Sequence, residues 1–253
     1  MMKNRRKILL LILFILVFTT GVSYAEPQLS LFGKDVVLED SKDPQNYVFS
    51  LQILFILTIL TLAPSILIMM SSFTRIIIVL SFIRNALGLQ QTPPTQVIIG
   101  LALFLTFFIM APIGAEINNE AIQPFLKEEI NQEVALERSM KPIREFMFKQ
   151  TRDKDLSLFL NMKKLGEVKS LDEIPSHVLI PAFIISELKT AFQIGFVIFI
   201  PFLVIDMVVA STLMSMGMMM LPPVIISLPF KILLFVLVDG WNLIVKSLLL
   251  GFK

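Results

Sequence analysis

Between Tyr47 and Thr74 the chain carries no charged residue, and between Asn85 and Ala115 it again carries none. A helix of about 20 apolar residues crosses a ~30 Å hydrocarbon core, so either run is long enough to span one. Pro64 falls inside the first run, and Pro112 and Gly114 end the second, so kinked or broken helices are expected. Composition agrees: 55% of residues are hydrophobic and 17% charged, with a mean hydropathy of +0.80. Soluble domains lie nearer 45–50% apolar and about 25% charged. The fold class this predicts is all-α, an integral membrane protein of broken helices and helical hairpins.

The start of the chain has a different character. MMKNRRK is basic, ILLLILFILVF is apolar, and VSYA ends in small residues. This is the pattern of a secretory signal peptide over 1–25, cleaved between Ala25 and Glu26. Cleavage removes Lys3, Arg5, Arg6 and Lys7 and no acid, so the net charge falls from +2 to −2 and argues for no nucleic-acid partner. Residues 26–46 read as a flexible extracytoplasmic lead, and 47–115 as two apolar helical segments. Arg75 and Arg84 lie between those segments, on the cytoplasmic side if the positive-inside rule holds.

Residues 116–177 hold 12 acidic and 10 basic residues, with apolar residues at helical spacing. They predict a small extracytoplasmic helical insert whose charges are solvated. Catalytic and metal chemistry find no support along the chain. There is no cysteine, His177 is the single histidine, and no Gly-rich phosphate loop, HExxH or G-x-S-x-G occurs. No cofactor is expected.

Residues 178–253 are apolar again, but punctuated by Pro181, Gly195, Pro201, Gly217, Pro222, Pro223 and Pro229. Such breaks are tolerated at membrane depth where other protein or a water-filled cavity satisfies the freed backbone groups. PPTQVIIGLALFLTF (Pro93–Phe107) and PPVIISLPFKILLF (Pro222–Phe235) hint at an internal repeat. Glu187, Lys189, Asp206, Lys231 and Asp239 interrupt the apolar sequence. A charge at the centre of a spanning helix costs about 2.5–3.5 kcal/mol on insertion scales and so calls for a partner. Glu187 and Lys231 are expected to pair if two segments or two subunits bring them together, whereas Asp239 is expected near an interface. MSMGMMML, Met214–Leu221, places five methionines just before Pro222-Pro223. Methionine is unbranched and polarizable, so a ring of it can close on itself and remodel around many chains.

Three blocks in order carry a resemblance: SSFTRIIIVLSFIRNALGLQQTPPTQVIIGLALFLTFFIMAP, FIISELKTAFQIGF, and DMVVASTLMSMGMMMLPPVIISLPFKILLFVLVDGWNL. From about Leu67 to Leu250 the sequence resembles the FliP family of flagellar export-gate proteins, called SctR in injectisomes. The signal peptide and polar insert look like the flagellar branch.

The resemblance implies a subunit of a protein-conducting channel in the flagellar basal body of the bacterial inner membrane. There a pentamer would assemble with FliQ and FliR family proteins and other export-apparatus membrane proteins to pass unfolded flagellar subunits. It implies no enzymatic activity. It also implies a methionine gate loop, here Met218, Met219 and Met220, shaped by Gly217, Pro222 and Pro223. Inter-subunit salt bridges are implied among Arg152, Glu187 and Lys231, so losing Glu187 or Lys231 is expected to impair assembly more than insertion. Residue patterns alone leave a small-solute secondary transporter or a non-pore assembly scaffold as alternatives.

Overall fold

The computed structural model describes residues 29–31, 34–36, 44–89, 91–163, 170–218 and 220–252. The expected signal peptide, with Ala25 and Glu26, lies outside them, as does Met219. The chain divides into two units, Met1–Leu57 and Thr58–Lys253. In the first, β1 (Leu29–Leu31) and β2 (Lys34–Val36) pair antiparallel, Leu29 opposite Val36, so the lead contains a short hairpin. Every other regular element among the described residues is helical.

Helix α1 (Pro44–Met69) begins in the first unit and runs through Pro64 without interruption. Its residues from Leu51 to Met69 are exposed or half-buried, as suits a helix whose solvent is lipid. Helix α2 (Phe73–Ala86) does the opposite: Ile76, Val79, Leu80 and Ile83 are almost wholly buried at helical spacing. It therefore sits at the centre of the second unit. Helix α3 (Thr95–Ile117) follows and passes through a π-helical turn, Asn118–Ile122, into the short α4 (Gln123–Leu126).

The polar insert is helical as expected. It contains α5 (Gln132–Gln150) and α6 (Asp153–Met162). The Asn131 side chain accepts the Val134 N–H at 2.9 Å and caps α5. Asp153 and Asp155 stand in the first turn of α6, where the helix dipole favours anions.

Helix α7 (Ser176–Ser215) has 40 residues, about 60 Å if straight, roughly twice the hydrocarbon thickness. Its two halves differ. Val178, Leu179, Ala182, Phe183 and Ala191 are buried against α2, α5 and α6, whereas beyond Gly195 only Phe202 and Leu213 are buried. Gly195 is required by contact: a Cβ there would stand 2.6 Å from the Phe82 ring of α2. Helices α8 (Pro223–Leu237) and α9 (Gly240–Leu250) complete the unit and bend by 62° where they meet. Asp239 occupies the left-handed region at this corner and is exposed.

Three helices among the described residues are long and apolar enough to cross a membrane: 51–69, 95–126 and 176–215. The bent pair α8–α9 is a fourth if it counts as one span. The all-α membrane-protein class inferred from the uncharged runs is the class observed.

Candidate functional site

The methionine stretch forms the tip of the α7–α8 hairpin. Gly217 takes φ +74°, and its N–H donates to the Met214 carbonyl at 3.0 Å. The Met218 N–H reaches back to the Leu213 carbonyl at 3.0 Å. These two bonds make a Schellman cap, which ends α7 and needs a left-handed residue where glycine has no steric penalty. Pro222 then serves as the N-cap of α8 and Pro223 as its first residue, a position where the missing N–H costs nothing. Met218 is 43% exposed and Met220 98% exposed, so side chains normally used as core filler project from the tip. Gly217 thus ends one helix, and Pro222 and Pro223 begin the next, on either side of the methionines.

A second corner uses the same device. Gly88, at φ +76°, caps α2 with bonds from its own N–H to the Asn85 carbonyl and from the Leu89 N–H to the Arg84 carbonyl. Pro93-Pro94 follow, five residues after the glycine, the spacing from Gly217 to Pro222. A Cβ on Gly88 would lie 3.5 Å from Leu228 and 3.9 Å from Val224, which puts this corner against the first turns of α8.

Of the three residues expected in salt bridges, no two are paired within the chain. Glu187 is fully buried and bonds Arg75 through both oxygens, one of them accepting Arg75 Nε at 3.0 Å. The Arg75 guanidinium also donates to the Gly251 carbonyl at 2.9 Å and to Gln150 Oε1 at 2.8 Å, and it lies 3.9 Å over the Phe252 ring. This knot ties α2, α5, α7 and the segment after α9 together. Lys231 pairs with Asp206 Oδ2 at 2.6 Å, and the Ser227 hydroxyl donates to the other oxygen of Asp206. Glu187 and Asp206 lie 19 residues apart on one helix, about 28 Å, so Lys231 cannot serve both. The expected Glu187–Lys231 pairing therefore finds no counterpart within one chain.

Arg152 stands at the N-cap position of α6 without a side-chain capping bond, and its guanidinium makes no salt bridge to a carboxylate among the described residues. Its guanidinium donates to Thr190 Oγ1 at 3.2 Å and to Gln193, and its backbone N–H donates to Ser186 Oγ at 3.1 Å. Ser186 in turn donates to Asp155 at 2.8 Å.

Arg75 and Asp206 were within reach of sequence reasoning. Arg75 is the first charge after a long uncharged run, so the insertion-cost argument applies to it as it does to Glu187. Asp206 lies eight residues before Met214, and Lys231 eight residues after Pro223. An antiparallel hairpin turning on the methionines sets them opposite each other. His177 is exposed, and no cluster of metal-ligating side chains occurs among the described residues.

The FliP family model matches residues 56–248. The chain is 63% identical over 212 residues to the flagellar biosynthetic protein FliP of Bacillus subtilis, covering 84% of this chain and 96% of that one. It is 57% identical to the Pectobacterium carotovorum protein of the same name, covering 82% and 81% of the two chains. It is 50% identical to that of Treponema pallidum, covering 92% and 87%. With a family model spanning both glycine–proline corners and relatives this similar over nearly their whole length, the chain belongs to the FliP family.

Proposed function

We propose that this chain is a channel-forming subunit of the flagellar type III export gate, passing unfolded flagellar subunits across the bacterial inner membrane. In this reading a pentamer joins FliQ and FliR family proteins, and the energy for transport comes from elsewhere in the apparatus. The observation that carries it is the exposed methionine tip of the α7–α8 hairpin, rigidly capped on both sides. An apolar constriction blocks water and ions by dewetting, and flexible thioethers repack around whatever chain displaces them. Arg152 is assigned to contacts between subunits, while within the chain Glu187 is engaged by Arg75 and Lys231 by Asp206. Among the described residues the Arg152 guanidinium hydrogen-bonds only the neutral Thr190 and Gln193, so no carboxylate within the chain bonds it directly.

Deleting Met218–Met220 and following both ion leakage and export of flagellar subunits tests the reading. Leaky membranes with export at least partly retained are expected. Tight membranes with normal export from an assembled complex would sink it.

A further inference from the structure

The α7–α8 hairpin is held along a single stripe. The buried residues of α8 are Ser227, Lys231 and Phe235, spaced one turn apart. They face Asp206 and Phe202 of α7, themselves one turn apart: Phe202 meets Phe235 with ring centroids 6.4 Å apart, and Asp206 meets Lys231 and Ser227. Two of the three buried positions on α8 are thus polar, in a helix otherwise built of Ile, Leu, Val, Phe and Pro. Beside the stripe the two legs leave an apolar groove of about 490 Å³ lined by Val204, Val208, Val209, Ile226 and Phe230. Close apolar packing therefore does not extend across the whole hairpin.

Apolar contacts are non-directional, and a stripe of leucines can slide by a turn with little loss. A charge pair cannot. Sliding α8 one turn, about 5.4 Å, would set Lys231 opposite Phe202 or Ala210 and leave two charges unpaired among apolar side chains. A single polar contact in an apolar interface is known to specify register in this way. Register also decides which residues fall at the turn. We propose that Asp206 and Lys231, with Ser227, are positioning residues that lock the register of the α7–α8 hairpin and so hold Met218 and Met220 at its tip. The functional consequence rests on the methionine-gate reading above; the register lock itself does not.

The chain has no cysteine, so Thr212→Cys with Ile225→Cys, both on exposed positions near the tip, gives two label sites on opposite legs. Spin-label distances between them in the assembled complex, with ion leakage measured in parallel, decide the matter. Asp206→Asn and Lys231→Met should each broaden the distance distribution and add a population displaced by about one helical turn, ~5 Å. Leak should rise in the same variants. The exchanged pair Asp206→Lys/Lys231→Asp should restore a narrow distribution and a tight membrane. If the single variants fail to assemble, the double Asp206→Asn/Lys231→Met, which strands no charge, carries the same expectation. An unchanged narrow distribution in the assembled neutral variants, or an exchanged pair that stays broad, would overturn the lock. A broadened distribution without added leak would leave the lock standing and count against the methionine gate instead.

Discussion

Arg75 and Glu187 meet where three segments, α5, α7 and the one after α9, converge on the guanidinium that α2 carries. Replacing such a pair with apolar residues is often harmless, because each ion loses its hydration on burial. Removing one member is not, since the other is left buried and unpaired, at about 3–5 kcal/mol. Glu187→Gln should therefore lower the melting temperature of the purified chain sharply, and Arg75→Met/Glu187→Leu should recover most of the loss. Equal melting temperatures for the single and double variants would show that the charge balance is not what matters there. The same experiment bears on assembly. A Glu187 engaged only within its chain affects oligomer yield through folding, whereas one shared with a neighbour affects yield even where the melt is unchanged.

Gly88 and Gly217 perform one task at two corners, ending a helix five residues before a proline pair that leads into the next. Their surroundings differ. Gly88 faces Leu228 and Val224, whereas no described residue lies within 4 Å of a Cβ on Gly217. Substitution at Gly217 therefore meets only the backbone penalty of the left-handed region, about 1–2 kcal/mol for most residues and less for asparagine. Gly217→Asn should leave leak and export near normal, and Gly217→Val should disturb both, because a β-branched residue is a genuine outlier at that φ. Equal behaviour of the two in paired leak and export assays would show that the cap does not set the tip. The repeat glimpsed in the sequence is, at this scale, a repeated corner more than a repeated helix.

Much apolar surface remains uncovered. On the candidate spans, Phe196, Val197, Val204 and Met207 are exposed as lipid- or protein-facing residues would be. Leu136 and Met162 are different, exposed on the charged α5 and on α6, outside every candidate span. Helices carrying Glu133, Glu137, Arg138 and Lys141 do not enter hydrocarbon without great cost, so protein is the natural cover for their apolar residues. Cysteines introduced at Leu136 and Met162 should react with a water-soluble maleimide in the isolated chain and be protected in the assembled complex. Equal labelling in both states would place the subunit contacts elsewhere. The length of α7 points the same way, because a helix of about 60 Å with one half wrapped in protein does not lie wholly within a ~30 Å layer.

Hydropathy is a local property, and it was enough for the helical class and the helical polar insert. Punctuation was a poorer guide, since Pro181, Gly195, Pro201 and Pro229 lie inside continuous helices and the breaks fall between Gly217 and Pro222 and at Asp239. Burial cost is also local, so the sequence alone marked Glu187 and Lys231 as charges in need of partners. It could not name those partners. Glu187 meets Arg75 across 112 positions of chain and Lys231 meets Asp206 across 25, and which helix stands beside which follows from packing rather than from any residue's neighbours in sequence. Arg75 reads in the sequence as a loop-side cation and in the fold as the centre of a core, because α2 is buried on the face that carries it. An apolar run says only that a segment avoids water. Whether lipid or protein takes the place of that water is decided by the tertiary structure, where shape and charge complementarity set which faces meet.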